Sequence, residues 1–275
     1  MATQPRPTVT RRAIITLTTD FGTADHYVGA MKGAILNVNP DAIIYDISHD
    51  VTAFDILDGA FTISQAYRFY PPRTLHIVVV DPGVGTARRP ILAVGDQHYF
   101  MAPDNGVLSL VFEQQERLTV RQVDAEHYFL SPVSNTFHAR DIFAPVAGWF
   151  SKSFDPQNFG PQITDFVRLA PPKPKVLNEK LIKGVVLKID KFGNIITNLS
   201  PNDLPQLFSD PPQPFKIIVG KQEITKISQT YTEGEPNEVF AILGSTGFLE
   251  LATSRGFAAR VLGVQRGAEV GVMLG

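Results

Sequence analysis

The first third of the chain alternates short apolar runs with segments of helical spacing, and this alternation is what most restricts the fold. Three runs are rich in β-branched residues, as strands are: AIITLTTD, DAIIYDIS and TLHIVVVD. Between them lie two segments whose apolar residues recur on one helix face, DHYVGAMKGAILNVNP and FDILDGAFTISQAYRFYPP. Strand and helix in alternation predict a layered α/β domain with a largely parallel sheet.

The pattern changes beyond this region. PILAVGDQHYFMAPDNG predicts a hairpin that turns near Gly95 and Asp96, and ARDIFAPVAGWFSK predicts another helix. The proline-rich segment APPKPK is typical of a stiff linker. After it, short apolar runs separated by turn residues predict a smaller antiparallel β-barrel or sandwich.

These patterns define the expected domains. We expect an α/β domain over residues 13–169, a linker over 170–176 and a β-barrel-like domain over 177–275.

Composition excludes several classes of function. The formal net charge of the 275 residues is −2, and no basic block follows the pattern of a nucleic-acid binder, so we expect no nucleic-acid partner. The chain has no cysteine, and its 6 histidines form no HxxxH or HxH pair, so we expect no metal site. Because MATQPRPTVTRR lacks the apolar core of a signal peptide and no apolar run is long enough to span a membrane, we expect a cytoplasmic protein without membrane contact.

Two carboxylates follow predicted strands directly. Asp20 comes after the first strand and Asp81 after the third, and open α/β sheets bind their ligands at the carboxyl ends of strands. Each aspartate alone is compatible with capping a loop. The repetition at two strand ends favours a binding site, and a carboxylate there suits the two hydroxyls of a ribose.

Two further residues suggest chemistry at this edge. The turn PGVG can bring Arg88 back towards Asp81, and His138 precedes the last predicted helix of the first domain. Together the three side chains could hold and polarise one water molecule. Two structural alternatives stay open. Arg88 and Arg89 could form a solvated pair, and His138 could be a structural histidine.

The second half has two loops of interest. DKFGN contains Phe192 and Asn194, and GSTGF offers the Ser245 hydroxyl. An asparagine in a left-handed turn, a core phenylalanine and an ordinary hairpin would explain these residues equally well.

Taken together, the segments resemble the S-adenosyl-L-methionine hydroxide adenosyltransferases, relatives of the 5′-fluorinase and 5′-chlorinase. The resemblance covers about residues 13–270 and is carried, in order and spacing, by eight segments. They are TTDFG, DHYVGAMKG, ISHDV, VVVDPGVGTARR, APDNG, TFHARDIFAPVA, DKFGNIITNL and GSTGFLELA.

The resemblance implies an activity and an assembly. Members of this family attack C5′ of S-adenosylmethionine with water or hydroxide and release adenosine and L-methionine, with no cofactor. Their water-activating triad falls here on Asp81, Arg88 and His138. The family also implies a homotrimer, with each active site formed between the first domain of one subunit and the second domain of its neighbour.

The resemblance further implies substrate contacts. Asp20 is expected at the ribose hydroxyls, and Phe54 against the ribose and C5′. The other expected contacts are Asp25 and Asp190 to the methionine ammonium, Ser245 to its carboxylate, and Phe192, Asn194 and Phe248 around the adenine.

The sequence departs from the family at two positions. Ala139 stands where the family usually has glycine, and we expect its methyl group to narrow the substrate pocket a little. Gly244 stands where the family usually has asparagine, and we expect the methionine end of the substrate to be bound less firmly. Two rival functions remain at this point: a 5′-halogenase, which lacks the triad because halide needs no deprotonation, and a protein that binds S-adenosylmethionine or adenosine without catalysis.

Overall fold

The computed structural model describes residues 12–209 and 213–275. Residues 1–11, on which the expectation about a signal peptide rests, lie outside the described part of the chain. The chain divides into two compact units, one that ends at Ala170 and one that begins at Pro171.

The first unit is built on a mixed sheet. Its strands among the described residues are β1 (Ile14–Thr19), β2 (Ile43–Ser48), β3 (Leu75–Val79), β4 (Pro90–Val94), β5 (Tyr99–Pro103), β6 (Thr119–Gln122) and β7 (Gln162–Ile163). Their order across the sheet is β2-β1-β3-β5-β4-β6-β7. The pairs among β2, β1, β3 and β5 are parallel, and those from β5 to β7 are antiparallel. The predicted α/β class is confirmed, and the β4–β5 hairpin turns at Gly95, whose N–H donates to the carbonyl of His98.

Helices cover both faces of this sheet. They are α1 (Tyr27–Val38), α2 (Ile56–Ala66), α3 (Ser109–Phe112) and α4 (Ala144–Ser153). The two helices predicted between the strands are confirmed as α1 and α2. The third predicted helix begins as a π-helical turn at Ala139–Phe143 and continues as α4. Helices with such π turns are frequent at functional sites.

The residues of β3 show why the unit has three layers. Successive side chains of a strand point to opposite faces. Ile77 and Val79 accordingly pack in the cluster with α1 and α4. Val78, and Val80 just after the strand, pack in the cluster with α2 and α3. All four are at most 2% exposed, which is why the sequence here is continuously apolar rather than alternating.

The sheet places two carboxylates at one edge. Strands β1 and β3 are parallel neighbours, and Thr19 lies opposite Val79. Asp20 and Asp81 therefore follow adjacent strands at the same edge, as the sequence predicts.

The second unit is a nearly closed antiparallel barrel. Its strands among the described residues are β8 (Lys175–Asn178), β9 (Leu181–Ile189), β10 (Ile195–Thr197), β11 (Phe215–Val219), β12 (Gln222–Ile224), β13 (Val239–Leu243), β14 (Leu249–Thr253) and β15 (Glu269–Leu274). Their order is β12-β11-β15-β9-β10-β14-β13, with β8 beside β9. One short helix, α5 (Ala258–Leu262), follows β14 in the described part.

Backbone contacts after β12 nearly close this barrel. The N–H of Ser228 donates to the carbonyl of Ala241 on β13, and the N–H of Ala241 donates to the carbonyl of Lys226. The predicted barrel-like second half is thus confirmed. Strand β8 begins at Lys175, inside the segment 170–176 that the sequence analysis assigns to the linker.

No helix among residues 12–209 and 213–275 is both long and apolar enough to cross a bilayer.

A buried histidine makes the first unit sensitive to acid. His76 on β3 is fully buried, its Nδ1 lies 2.7 Å from Thr16 Oγ1, and its ring stacks on Phe100. Burial and the nearby His98 lower the pKa of His76 to about 3. The unfolded chain, with an ordinary histidine pKa of 6.5, binds the proton more readily. Stability from this group is therefore complete above pH 6.5 and falls as the pH falls towards the folded-state pKa.

We expect His76→Gln to reduce this acid sensitivity. Between pH 7 and pH 4 the parent protein should lose about 3 kcal/mol more unfolding free energy than the variant, because glutamine does not titrate. Urea unfolding at the two pH values measures the difference. The control is His127→Gln, at an exposed position, which should behave like the parent. Parallel losses in the parent and in His76→Gln would contradict the assignment.

Candidate active site

A buried ion pair lies at the carboxyl end of β3. Arg88 Nε donates to Asp81 Oδ1 at 2.8 Å, and Arg88 Nη2 contacts Asp81 Oδ2. The two side chains are only 8% and 5% exposed, so both charges are largely out of water. Such a pair is stable only when the geometry is good, because desolvation of each ion costs several kcal/mol.

The turn after β3 brings the arginine back to the aspartate. Val84 N–H donates to the carbonyl of Asp81, and Thr86 N–H donates to that of Gly83. Gly85 has φ +77°, and a Cβ there would overlap the carbonyl oxygen of Asn135. Glycine therefore allows this turn to pass against the segment that precedes His138.

His138 extends the ion pair to a third group. Arg88 Nη2 lies 2.9 Å from His138 Nδ1. Because guanidinium only donates, Nδ1 accepts and the imidazole is neutral, with its proton on Nε2. Burial and the Arg88 charge lower the pKa of His138, which agrees with a neutral ring. The structure thus brings together all three residues of the predicted triad.

The two adjacent arginines diverge. Arg89 Nη2 donates to Asp104 Oδ2 at 2.6 Å, and its Nη1 donates to Asp165 at 2.9 Å. The alternative of a solvated Arg88–Arg89 pair is therefore wrong. Arg88 Nη1, by contrast, is buried without a hydrogen-bond partner among the described residues.

A pocket of about 160 Å³ opens beside the triad. Its lining includes Asp81, His138 and Ala139, and one side is aromatic. Phe21, Tyr27 and Phe137 form that side, with ring centroids 5.2–6.1 Å apart. Our sequence reasoning did not select these rings, although all three lie in segments that carry the resemblance.

The expected ribose residues meet at the same edge of the sheet. Asp20 Oδ2 accepts the backbone N–H of Phe54 at 2.8 Å. Phe54 has φ +65°, and its side chain is 73% exposed. Asp25 is exposed before α1, and its side chain makes no hydrogen bond or ion pair with another described residue.

In the second unit, Asp190 organises the DKFGN turn. Its Oδ1 accepts the N–H groups of Phe192 and Asn194, each at 2.9 Å, and its Oδ2 accepts Asn194 Nδ2 at 3.0 Å. Gly193 has φ +80° and packs against Phe257, so a side chain there would collide. The turn buries Asn194 and leaves the Phe192 ring 73% exposed.

The remaining predicted residues lie on the turn between β13 and β14. Gly244 N–H donates to the carbonyl of Phe248, which leaves Ser245 exposed and Phe248 partly buried. Next to them is a buried carboxylate that our sequence reasoning did not select, Glu250 on β14. The sequence signal that could have found it is a single acidic residue within the apolar run FLELA.

Among the described residues, no group of three or more His, Cys, Asp and Glu side chains is arranged to hold a metal ion.

Comparison with known proteins gives the same family over both units. The N-terminal domain of the SAM hydroxide adenosyltransferases matches residues 15–160, and the C-terminal domain matches residues 184–271. A relative from Methanocaldococcus jannaschii, named (R)-S-adenosyl-L-methionine hydrolase, is 35% identical over 91% of this chain and 92% of its own length.

Two further matches are a more distant relative and a solved structure of an uncharacterised protein. A protein named fluorinase from Nocardia brasiliensis is 26% identical over 96% of this chain and 98% of its own. The crystal structure of an uncharacterised conserved protein from Thermotoga maritima matches with a TM-score of 0.87 and 35% identity, over 94% of this chain and 99% of that one. Because the family's two domains match over most of its length, the chain belongs to the SAM hydroxide adenosyltransferase family.

Proposed function

We propose that this chain hydrolyses S-adenosyl-L-methionine to adenosine and L-methionine. The observation that carries the proposal is the buried chain of contacts from Asp81 through Arg88 to His138, beside a small pocket. Four relatives at 31–35% identity, all named (R)-S-adenosyl-L-methionine hydrolase, support it.

In the proposed reaction the triad acts on one water molecule. Asp81 accepts a hydrogen bond from the water and takes its proton as the oxygen bonds to C5′. The C5′–S bond breaks at the same time, and its electron pair returns to sulfur, which leaves as the neutral thioether of L-methionine. Arg88 stabilises the developing hydroxide, and its buried Nη1–H is available for a further hydrogen bond. His138 orients the guanidinium through Nδ1.

The surroundings suit a cationic nucleoside. The sulfonium of the substrate is a cation, and cations are attracted to aromatic faces such as those of Phe21, Tyr27 and Phe137. Asp20 grips the ribose hydroxyls through charge-assisted hydrogen bonds, and Phe54 packs against the ribose and C5′. Asp25 contributes to binding of the methionine ammonium.

The second unit holds the two ends of the substrate. Asp190 attracts the methionine ammonium, and Ser245 binds the methionine carboxylate. The adenine packs against Phe192, which is exposed for stacking, with Asn194 and Phe248 beside it. No cofactor takes part in this scheme.

A 5′-halogenase is the second candidate, since fluorinases are more distant relatives. A halide ion would be repelled by the Asp81 carboxylate, whereas water needs such a base. Water is therefore the proposed nucleophile.

A product assay separates the candidates. We expect purified protein, incubated with S-adenosylmethionine and excess EDTA, to release adenosine and L-methionine in equal amounts. Liquid chromatography measures both products. The same result is expected with added fluoride or chloride. A 5′-halogenated nucleoside would identify a halogenase, and binding without any product would identify a non-catalytic protein. Activity that EDTA abolishes and a divalent ion restores would contradict the metal-free scheme.

The triad variants test the assigned roles. Asp81→Asn, Arg88→Ala and His138→Ala should each lower kcat by roughly 10²-fold or more, since they remove the base, the group that stabilises the developing hydroxide and the group that orients it. The Michaelis constant should change much less, and the losses should not add, because the groups serve one water.

The control is Arg117→Ala, at a side chain that is 89% exposed, which should leave kcat unchanged. Circular dichroism verifies folding, because removing one member of a buried ion pair destabilises by about 3–5 kcal/mol. Near-normal turnover by a folded Asp81→Asn protein would defeat the assignment.

We also propose that the protein works as a cytoplasmic homotrimer whose sites combine residues of neighbouring subunits. The resemblance to the family supports this, together with the distribution of the proposed contacts over both units. Cell fractionation checks the location, and light scattering checks the mass.

Complementation tests the shared site. Asp81→Ala and Asn194→Ala chains, each nearly inactive alone, are co-expressed with different tags and co-purified. If each site combines two chains, random mixing should restore about a quarter of the sites, because each site draws its halves independently. No recovery in verified mixed assemblies would locate each site within one subunit.

A further inference from the structure

Glu250 is a charged residue where the fold favours an apolar one. On β14 it lies opposite Ile196 of β10 and Ile242 of β13, and both isoleucines are buried. Ala252, the next residue on the same face of β14, packs with Phe240 and Ile242. Glu250 itself is 3% exposed. Burial of a carboxylate among such neighbours opposes folding, so stability alone does not account for it.

The Glu250 carboxylate accepts hydrogen bonds from two hydroxyl groups. Tyr231 Oη donates to Glu250 Oε2 at 2.9 Å, and Thr246 Oγ1 donates to Oε1 at 3.3 Å. Neither hydroxyl carries a charge, so these two contacts do not neutralise the carboxylate. Burial raises the pKa of Glu250, and the charge of Asp190 contributes in the same direction.

Gly244 belongs to the same arrangement. A Cβ built on Gly244 would overlap the Glu250 carboxylate, so the carboxyl group occupies the space of a side chain at position 244. A side chain at position 244 would therefore displace the Glu250 carboxylate. The hydrogen bond that Thr246 donates to Glu250 ties the turn to β14.

We infer that Glu250 is a positioning residue for the 244–248 turn, holding Thr246 and thereby the neighbouring Ser245 in place for the substrate carboxylate. The inference rests on the proposed function, which assigns Ser245 to that carboxylate. Glu250 acts through Thr246, so it affects binding of one end of the substrate. The triad, which belongs to the first unit, performs the chemistry.

The test uses Glu250→Leu and two substrates. S-adenosylmethionine carries the carboxylate, and its decarboxylated analogue keeps the ammonium but lacks the carboxylate. For S-adenosylmethionine, the Michaelis constant should rise about tenfold or more, the scale of a lost hydrogen bond to a charged group. For the analogue it should change less than about twofold, and kcat should stay within about threefold for both. The melting temperature should be unchanged or higher, because leucine suits the apolar surroundings.

Two further variants separate positioning from general damage. Glu250→Gln keeps the length and an acceptor oxygen and should recover most of the affinity. Gly244→Ala displaces the carboxylate from its hydroxyl partners and should reproduce the pattern of Glu250→Leu, without adding to it in the double variant. Glu235→Leu, at an exposed position, is the control for the substitution itself.

The outcomes are distinct. An unchanged Michaelis constant in Glu250→Leu, an equal rise for both substrates, or a lowered melting temperature with parallel loss of activity would overturn the inference. A parent protein that releases no adenosine would overturn the proposed function instead. Calorimetric titration of the parent and of Glu250→Leu with L-methionine would then decide the role of Glu250. Equal affinity of the two proteins for L-methionine, or no binding to the parent, would overturn that role.

Discussion

The buried contact between Asp81 and Arg88 is the interaction on which the site in the first unit depends. Two charges that are at most 8% exposed must be matched closely, because either one alone would be an uncompensated ion in the interior. The tight turn after β3 meets this demand by returning the arginine to the strand end. His138 then has a defined donor at Nδ1, which sets its tautomer.

The second unit also buries a carboxylate, but the groups that donate hydrogen bonds to it are hydroxyls. Glu250 is also buried, but hydroxyl groups of Tyr231 and Thr246 satisfy it. Burial of a carboxylate is costly, and the residues opposite Glu250 in the strand register are isoleucines. In both units a carboxylate is buried at a cost to folding, which is the expected sign of a functional constraint.

The arrangement also bears on how hydrolysis differs from halogen transfer within one fold. Both reactions need a bound sulfonium in a pocket that excludes bulk solvent, but only water has a proton to lose. A carboxylate such as Asp81 can accept that proton, whereas it repels a halide ion. In the proposed chemistry, the Asp81 carboxylate at the end of β3 is therefore the group that favours water over halide as the nucleophile.

The sequence by itself determined the α/β class, the helices α1 and α2 and the barrel-like second half, because periodicity records which faces are buried. It also located the two strand ends that carry Asp20 and Asp81. Short polar strands such as β6 and β7 were not predicted, since their pairing depends on partners distant in the chain.

Only the tertiary structure decided which candidates meet. From the sequence alone, Arg88 and Arg89 are equally compatible with a solvated pair, and His138 is one of 6 histidines. The fold gives the two arginines different partners and brings Arg88 within hydrogen-bond distance of His138, which is 50 positions away in the sequence. Glu250 became visible for the same reason: an isolated glutamate in an apolar run has meaning only when its cross-strand neighbours are known. Contacts between residues far apart in sequence decide protonation and desolvation, and local patterns do not record them.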